Sequence, residues 1–168
     1  MPSQSLENLK FLRLEDCQVR WIAKADGVII LQNLQRLEAH GCDRMKSLFE
    51  FEGLKVPRQS HEELAILPKL ESLTLRSSGL THIWRNFPTG VQVFRNLRNL
   101  KVWHCRLLQC LFYPPCVANM LVSLEVLVIG CCDEMHGVIG EEDEEISQED
   151  GVGNHREIAL ERTNKEFV

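Results

Sequence analysis

The segment LENLKFLRLEDC (residues 6–17) decides the fold, because its spacing of apolar residues returns four more times along the chain. Apolar residues occupy the first, fourth, seventh and ninth positions of each copy, and a small residue follows at the twelfth position. The copies begin at Leu6, Leu31, Leu67, Phe94 and Leu121. All 20 of these apolar positions are filled, although only 44% of the whole chain is apolar. The pattern is therefore an internal repeat.

The seventh and ninth positions follow the period of two that is typical of a β-strand. In the first copy this places Leu12 and Leu14 on the inner face, with Arg13 between them on the outer face. One such strand cannot bury its apolar face alone, but stacked copies bury a continuous core. Successive copies begin 25, 36, 27 and 27 residues apart, and three of these spacings lie within the range of about 20–29 residues of leucine-rich repeats.

These spacings predict an α/β-type solenoid in which leucine-rich repeats form an arc. The concave face is predicted to be a parallel sheet of short strands. The convex segments are predicted to be mostly irregular or short helical, because they contain no clean period of 3.6 residues. The twelfth position of each repeat is interpreted as a small, buried residue at a turn, with a structural role. It is occupied by Cys17, Cys42, Ser78, Cys105 and Cys132.

The repeats define a domain over residues 1–140, and a polar insertion at 52–63 accounts for the longest spacing. Because the insertion contains Gly53 and Pro57, it is predicted to be an exposed loop. Residues 141–168 carry ten acidic and three basic side chains and are predicted to be an acidic, mobile tail. The formal net charge of −5 belongs to this tail, and the nearly neutral repeats lack the basic footprint of a nucleic-acid-binding protein.

The sequence indicates a cytoplasmic protein that does not bind a membrane. No apolar run approaches the roughly 20 residues that span a bilayer, and the first residues lack the basic and apolar regions of a signal peptide. The seven cysteines are an odd number and contain no Cys-x-x-Cys pair. This favours reduced thiols over a disulfide framework.

No residue pattern predicts catalysis, a metal or a cofactor. His104 and Cys105 could suggest a catalytic pair, but neighbouring residues of a strand point to opposite faces. Together with Cys110 and Cys116 they could suggest zinc, but the gaps lack the tight spacing of zinc ligands. The acidic run within residues 141–150 lacks the spacing of a calcium loop. It is interpreted as a solvated segment or as one that docks on a basic partner.

The concave strand face is the predicted binding surface, because parallel strands project regular columns of side chains onto it. Arginine, tryptophan and phenylalanine, which occur among these side chains, suit a protein partner. An ordinary solvated face would show the same alternation and is the competing interpretation. The predicted partner-binding residues are Phe11, Arg13, Glu15, Arg36, Glu38, His40, Ser72, Thr74, Arg76, Asn99, Lys101, Trp103, Val126 and Val128.

Two segments, FRNLRNL (94–100) and LVSLEVLVIGCCDEM (121–135), carry a resemblance to a known family. They resemble the leucine-rich-repeat region of plant intracellular disease-resistance proteins of the coiled-coil, nucleotide-binding kind, and the resemblance covers about residues 5–145. It implies a non-catalytic protein-recognition module of plant innate immunity. In such receptors the repeats sense a pathogen effector, or its modification of a host target, and hold the nucleotide-binding module inactive. The implied partners are therefore an effector, a guarded host protein or that module.

The chain also departs from this family. It contains no Gly-x-x-x-x-Gly-Lys-Ser/Thr phosphate loop, and no coiled-coil heptads precede the repeats. We therefore expect a fragment or truncated paralogue that carries only the sensing half, with uncapped ends that favour end-to-end self-association. The alternative is a leucine-rich-repeat adaptor, such as the substrate-binding subunit of a ubiquitin ligase. The absence of an F-box-like helical segment before Leu6 counts against that alternative.

Overall fold

The computed structural model describes residues 6–24, 27, 30–56 and 63–140, together with the backbone of 158–161. Five parallel strands of five residues, one from each repeat, form the main sheet in sequence order. They are β1 (Phe11–Glu15), β3 (Arg36–His40), β6 (Ser72–Arg76), β9 (Asn99–Trp103) and β11 (Val126–Gly130). The predicted leucine-rich-repeat solenoid with a parallel sheet is thereby confirmed.

Strand pairing brings the equivalent positions of successive repeats into rows. Leu12, Leu37, Leu73, Leu100 and Leu127 pair in one row across the sheet. The members of this row in β3, β6 and β9 are no more than 1% exposed. Leu12 and Leu14 of β1 are only half-buried, because among the described residues β1 has a neighbouring strand on one side alone. Each leucine of the row is thus buried by the two repeats that flank its own.

The return segments form short ladders of their own. Strands β2 (Ala23–Lys24), β4 (Phe49–Glu50) and β7 (Trp84–Arg85) make one parallel sheet, and β10 (Cys110–Phe112) pairs with β12 (Gly137–Ile139). Beside the insertion, β5 (Leu64–Ile66) pairs with β8 (Val91–Val93). Strands of two or three residues are too short to show a period in the sequence, and they form because equivalent backbone groups of neighbouring turns lie opposite one another.

Helical structure is limited in the described part of the chain to a 3₁₀ helix at Pro115–Met120, apart from one helical residue at Gly27. The small amount of helix agrees with the predicted return segments, whereas their short strands were not predicted. Of the predicted insertion loop, residues 57–62 lie outside the described residues, whereas Glu52 and Gly53 are exposed. No helix in the described residues is long and apolar enough to cross a membrane.

The return segments complete the core with large side chains. Met45 and Leu48 are fully buried between the main sheet and the outer wall of the solenoid. The rings of Trp84 and Phe94 lie 5.4 Å apart, and those of Phe49 and Phe94 lie 6.5 Å apart with an edge-on geometry. Tilted and edge-on arrangements at these distances are favourable for aromatic pairs. One apolar core therefore runs through the repeats.

The residue after each main strand has a positive φ, between 47° and 63°, which turns the chain out of the sheet. These residues are Asp16, Gly41, Ser77, His104 and Cys131. The backbone amides of the first four donate to the next turn, as in the 2.9 Å bond from the amide of His104 to the carbonyl of Gly130. The turn leaves His104 exposed and directs Cys105 into the core.

Part of the predicted tail pairs with the sheet. Strand β13 (Ile158–Glu161) lies antiparallel to β11, with Leu127 opposite Leu160. The other residues of 141–168 lie outside the described residues, and most of the predicted mobile tail falls on them. Four residues of the tail form a strand. An unpaired edge of β11 would expose backbone amides and carbonyls, and β13 satisfies them. End-to-end self-association stays a prediction only for the edge of β1.

We predict that Leu100→Asp unfolds or aggregates the protein, because it places a charge without a partner in a row that is 1% exposed. A loss of more than about 4 kcal/mol of stability is expected. Lys101→Asp, one residue along on the exposed face, should change stability by less than about 0.5 kcal/mol. Thermal melts measure both. Similar destabilisation by the two variants would contradict the register of β9.

We predict that Gly79→Ala costs more than about 2 kcal/mol, because an added Cβ would lie 1.9 Å from the carbonyl oxygen of Asp43. That oxygen belongs to the backbone of the preceding turn and cannot move aside without breaking the stack. Gly53→Ala is the matched control: its φ is +81°, but no atom lies within 4 Å of the new Cβ. It should cost only about 1 kcal/mol. Equal shifts in denaturation midpoint would show that the two turns are not packed as described.

Candidate functional site

The outward face of the main sheet carries all 14 predicted partner-binding residues. Strand register arranges them in three rows across the sheet. The first row is Phe11, Arg36, Ser72, Asn99 and Val126, the second is Arg13, Glu38, Thr74, Lys101 and Val128, and the third is Glu15, His40, Arg76 and Trp103. None of these residues is buried, whereas the inward positions of β3, β6, β9 and β11 are. We call this surface the strand face. Its role in binding stays a prediction.

The charges at the β1 end of the strand face are satisfied within the chain. Arg13 forms an ion pair with Glu15, and its Nε lies 3.8 Å from a carboxylate oxygen of Glu38. The guanidinium carbon of Arg36 lies 6.0 Å from the centre of the Phe11 ring, which is within cation–π distance. A partner would therefore have to compete with these internal contacts to use the β1 end.

The β9 side of the strand face is different. Arg76 and Lys101 are exposed, and neither makes an ion pair with any residue that the structure describes. Trp103 stands in the same row as Arg76 and is half-buried. Two cations that form no ion pair within the described residues lie beside an indole ring and can contact an external ligand. Such side chains are common at binding hot spots.

The Trp103 ring lies over Gly130, a glycine that was not among the predicted binding residues. Gly130 pairs with Trp103 in the sheet register, and a Cβ added to Gly130 would lie 2.4 Å from atom Cζ3 of the indole. The ring therefore covers the space that a side chain at position 130 would fill. A glycine at an outward strand position next to a tryptophan is the sequence signal that could have identified this contact.

His40 occupies the third row between Glu15 and Arg76. Its Nε2 atom is buried and has no hydrogen-bond partner among the described residues. Buried polar side-chain atoms are usually paired, so this nitrogen carries an uncompensated desolvation cost. Within the described structure, His40 therefore does not contribute to the stability of the strand face through this nitrogen.

The twelfth positions of the repeats follow the ends of the main strands, and their contacts indicate a structural role. We call them the cysteine column: Cys17, Cys42, Ser78, Cys105 and Cys132. Cys42, Ser78 and Cys105 are buried, and Cys17 and Cys132 are half-buried. Each thiol donates to the carbonyl two residues earlier, at the end of the preceding strand, with sulfur–oxygen distances from 3.3 to 3.6 Å. Ser78 and Cys105 contact each other at 3.2 Å through Oγ and Sγ. A short side chain with one weak donor satisfies the carbonyl without filling the turn.

The pKa values of two thiols in this column are shifted in opposite directions. A hydrogen bond with Cys132 lowers the pKa of Cys105 to about 7, and the same bond raises the pKa of Cys132. Burial raises the pKa of Cys42. Because Cys105 is fully buried and His104 is exposed, the two side chains do not form a nucleophile–base pair. Within the described ranges, no group of three His, Cys, Asp or Glu side chains is arranged to hold a metal ion.

Comparison with known proteins agrees with this repeat geometry. Residues 1–133 match the sequence model of the family described as plant disease resistance protein RPS2-like, leucine-rich repeats. The match spans the segments 6–17, 31–42, 67–78, 94–105 and 121–132 that define the five repeats. The search of curated proteins and the search of solved structures found no significant match. Since the family match covers about four fifths of the chain, the protein belongs to the RPS2-like leucine-rich-repeat family of plant disease-resistance proteins.

Proposed function

We propose that this chain is a non-catalytic recognition module of plant immunity that binds a protein partner through the β9 side of the strand face. Membership of the resistance-protein repeat family supports a module of this kind. Leucine-rich repeats of this family generally mediate contacts between proteins, which supports a protein as the partner. The single observation that carries the location is that Arg76 and Lys101, which form no ion pair in the described part of the chain, lie beside Trp103.

The partner's chemistry follows from this surface. Two cations next to an indole fit a segment that offers carboxylates together with an apolar or aromatic side chain. Val126 and Val128 are half-buried on the neighbouring strand and extend the apolar part of the surface. The β1 end, where Arg13 and Glu38 already contact each other, would contribute less. We propose that recognition is concentrated on β6, β9 and β11.

In the receptor context, we propose that the partner is a pathogen effector, the host protein that an effector modifies, or the nucleotide-binding module that such repeats hold inactive. These three partners would meet the module in the cytoplasm. The chain itself would contribute recognition only, and the nucleotide switch would lie on another part of a complete receptor.

A photo-crosslinking experiment tests the proposed surface. A photoreactive amino acid replaces Thr74, at the centre of the second row, and in a separate variant it replaces Leu107, an exposed residue of the return segments. In leaf cells we expect the probe at position 74, but not the probe at 107, to crosslink to a discrete partner. Equal crosslinking from both positions would contradict recognition by the strand face.

We predict that Lys101→Glu, introduced beside the probe at position 74, lowers crosslinking to that partner by about tenfold, because it reverses a charge that faces the partner. Arg95→Glu is the matched control, since Arg95 is an exposed cation outside the main strands and has no ion pair within the described residues. It should leave the yield unchanged, and both variants should keep the wild-type melting temperature. An equal loss in both variants would show that crosslinking depends on net charge and not on a contact at position 101.

A further inference from the structure

A second surface lies on the return segments, away from the strand face. A cavity of about 470 Å³ opens there over the first three turns of the solenoid. Among its lining residues are four cations, Arg20, Arg44, Lys46 and Arg85, and two acids, Asp43 and Glu50. The cavity therefore carries an excess of positive charge, in a domain whose overall charge is nearly balanced.

Backbone pairing is what brings the cations together. The amide of Lys46 donates to the carbonyl of Arg20 at 3.0 Å, so these two residues lie next to each other on neighbouring turns. Neighbouring turns of a sheet are about 4.8 Å apart, and the backbone cannot separate them to relieve the repulsion between the side chains. Arg85 enters the same cavity from the third turn, where it pairs with Glu50 in the short sheet.

The acids do not neutralise this cluster. The Glu50 carboxylate accepts a 2.7 Å hydrogen bond from Nδ2 of Asn86 and lies 3.9 Å from Nε of Arg85. It therefore holds Arg85 at the cavity and is already engaged. Arg20, Arg44 and Lys46 make no ion pair with Asp43 or with any other residue in the described part of the chain. Among the residues that the structure describes, three of the four positive charges thus have no ion-pair partner and can contact a ligand.

Ser47 adds a hydroxyl to the lining of the cavity. Its side chain is buried, with 2% exposure of the residue, and it lines the same cavity. A hydroxyl that lines a cationic cavity can donate a hydrogen bond to an anion held by the surrounding cations.

We propose that this cavity binds a ligand that carries two or more phosphate groups. Arginine side chains match phosphate oxygens with paired N–H donors, and Lys46 adds a point charge. The volume lies in the usual range for ligand sites, about 300–1,000 Å³, and exceeds what one phosphate needs. The cavity is formed by return segments, so its occupation leaves the strand face free for a protein partner.

Titration calorimetry with tripolyphosphate at about 0.15 M ionic strength tests the proposal. We expect saturable binding that weakens by about tenfold in the double variant Arg20→Ala, Lys46→Ala, because two of the phosphate-facing charges are removed. Ser47→Ala, which removes only the hydroxyl, should weaken it by about threefold. Arg95→Ala removes one exposed cation elsewhere and should leave the affinity within about twofold. Circular dichroism confirms that each variant is folded.

A peptide that carries two phosphoserines, titrated in parallel, identifies the source of the phosphate groups. Tighter binding of tripolyphosphate assigns the cavity to a free small molecule, and tighter binding of the peptide assigns it to a phosphorylated protein segment. Absence of saturable binding by both probes would overturn the proposal. So would binding that persists in the double variant, or that falls to the same extent in Arg95→Ala.

Discussion

Backbone pairing between equivalent positions of successive turns is the constraint on which this structure depends. The same register repeats across the five main strands and again in the short ladders of the return segments. Because each turn is fixed about 4.8 Å from the next, a residue type that recurs at one position becomes a continuous row. The row formed by Leu37, Leu73 and Leu100 is the apolar version of this effect, and it makes each repeat depend on its neighbours for burial.

The same constraint creates the polar features of the molecule. Thiols at the ends of the main strands form a column in which each sulfur bonds to the last carbonyl of its strand. Outward rows place Arg76 beside Trp103 on one face, whereas the return ladders place Arg20 beside Lys46 on another. Both proposed ligand surfaces therefore arise from register, and the shared core between them allows them to bind different ligands.

The sequence was sufficient to predict the main sheet, because the period-two alternation of Leu12, Leu14 and their counterparts is strong and recurs five times. It also allowed the residues of the strand face to be identified, since alternation fixes which side chains point outward. The short return strands escaped prediction because two residues, such as Phe49 and Glu50, show no period. The pairing of β13 was equally hidden, since Ile158–Glu161 belong to no repeat and their partner is set by the free edge of β11.

The cationic cavity shows most clearly why the rest could not be predicted. Counted from the cysteine of each repeat, Arg20 is the third residue and Lys46 the fourth, so alignment of the sequences sets Arg20 opposite Met45. The backbone instead pairs Arg20 with Lys46, because the first return segment is one residue shorter. A difference of one residue in the length of a segment without periodicity decides which side chains meet. The register of such a segment depends on packing of the apolar core, which the sequence pattern does not show.

The central claim, that equivalent residues of successive repeats lie directly opposite each other, is tested most directly by interstrand nuclear Overhauser effects. In a uniformly labelled sample, the backbone protons of Leu73 are predicted to show contacts with those of Leu37 on one side and Leu100 on the other. The same pattern should recur between Thr74, Glu38 and Lys101. Contacts displaced by one residue, or an antiparallel pattern between β6 and β9, would contradict the register and with it both proposed surfaces.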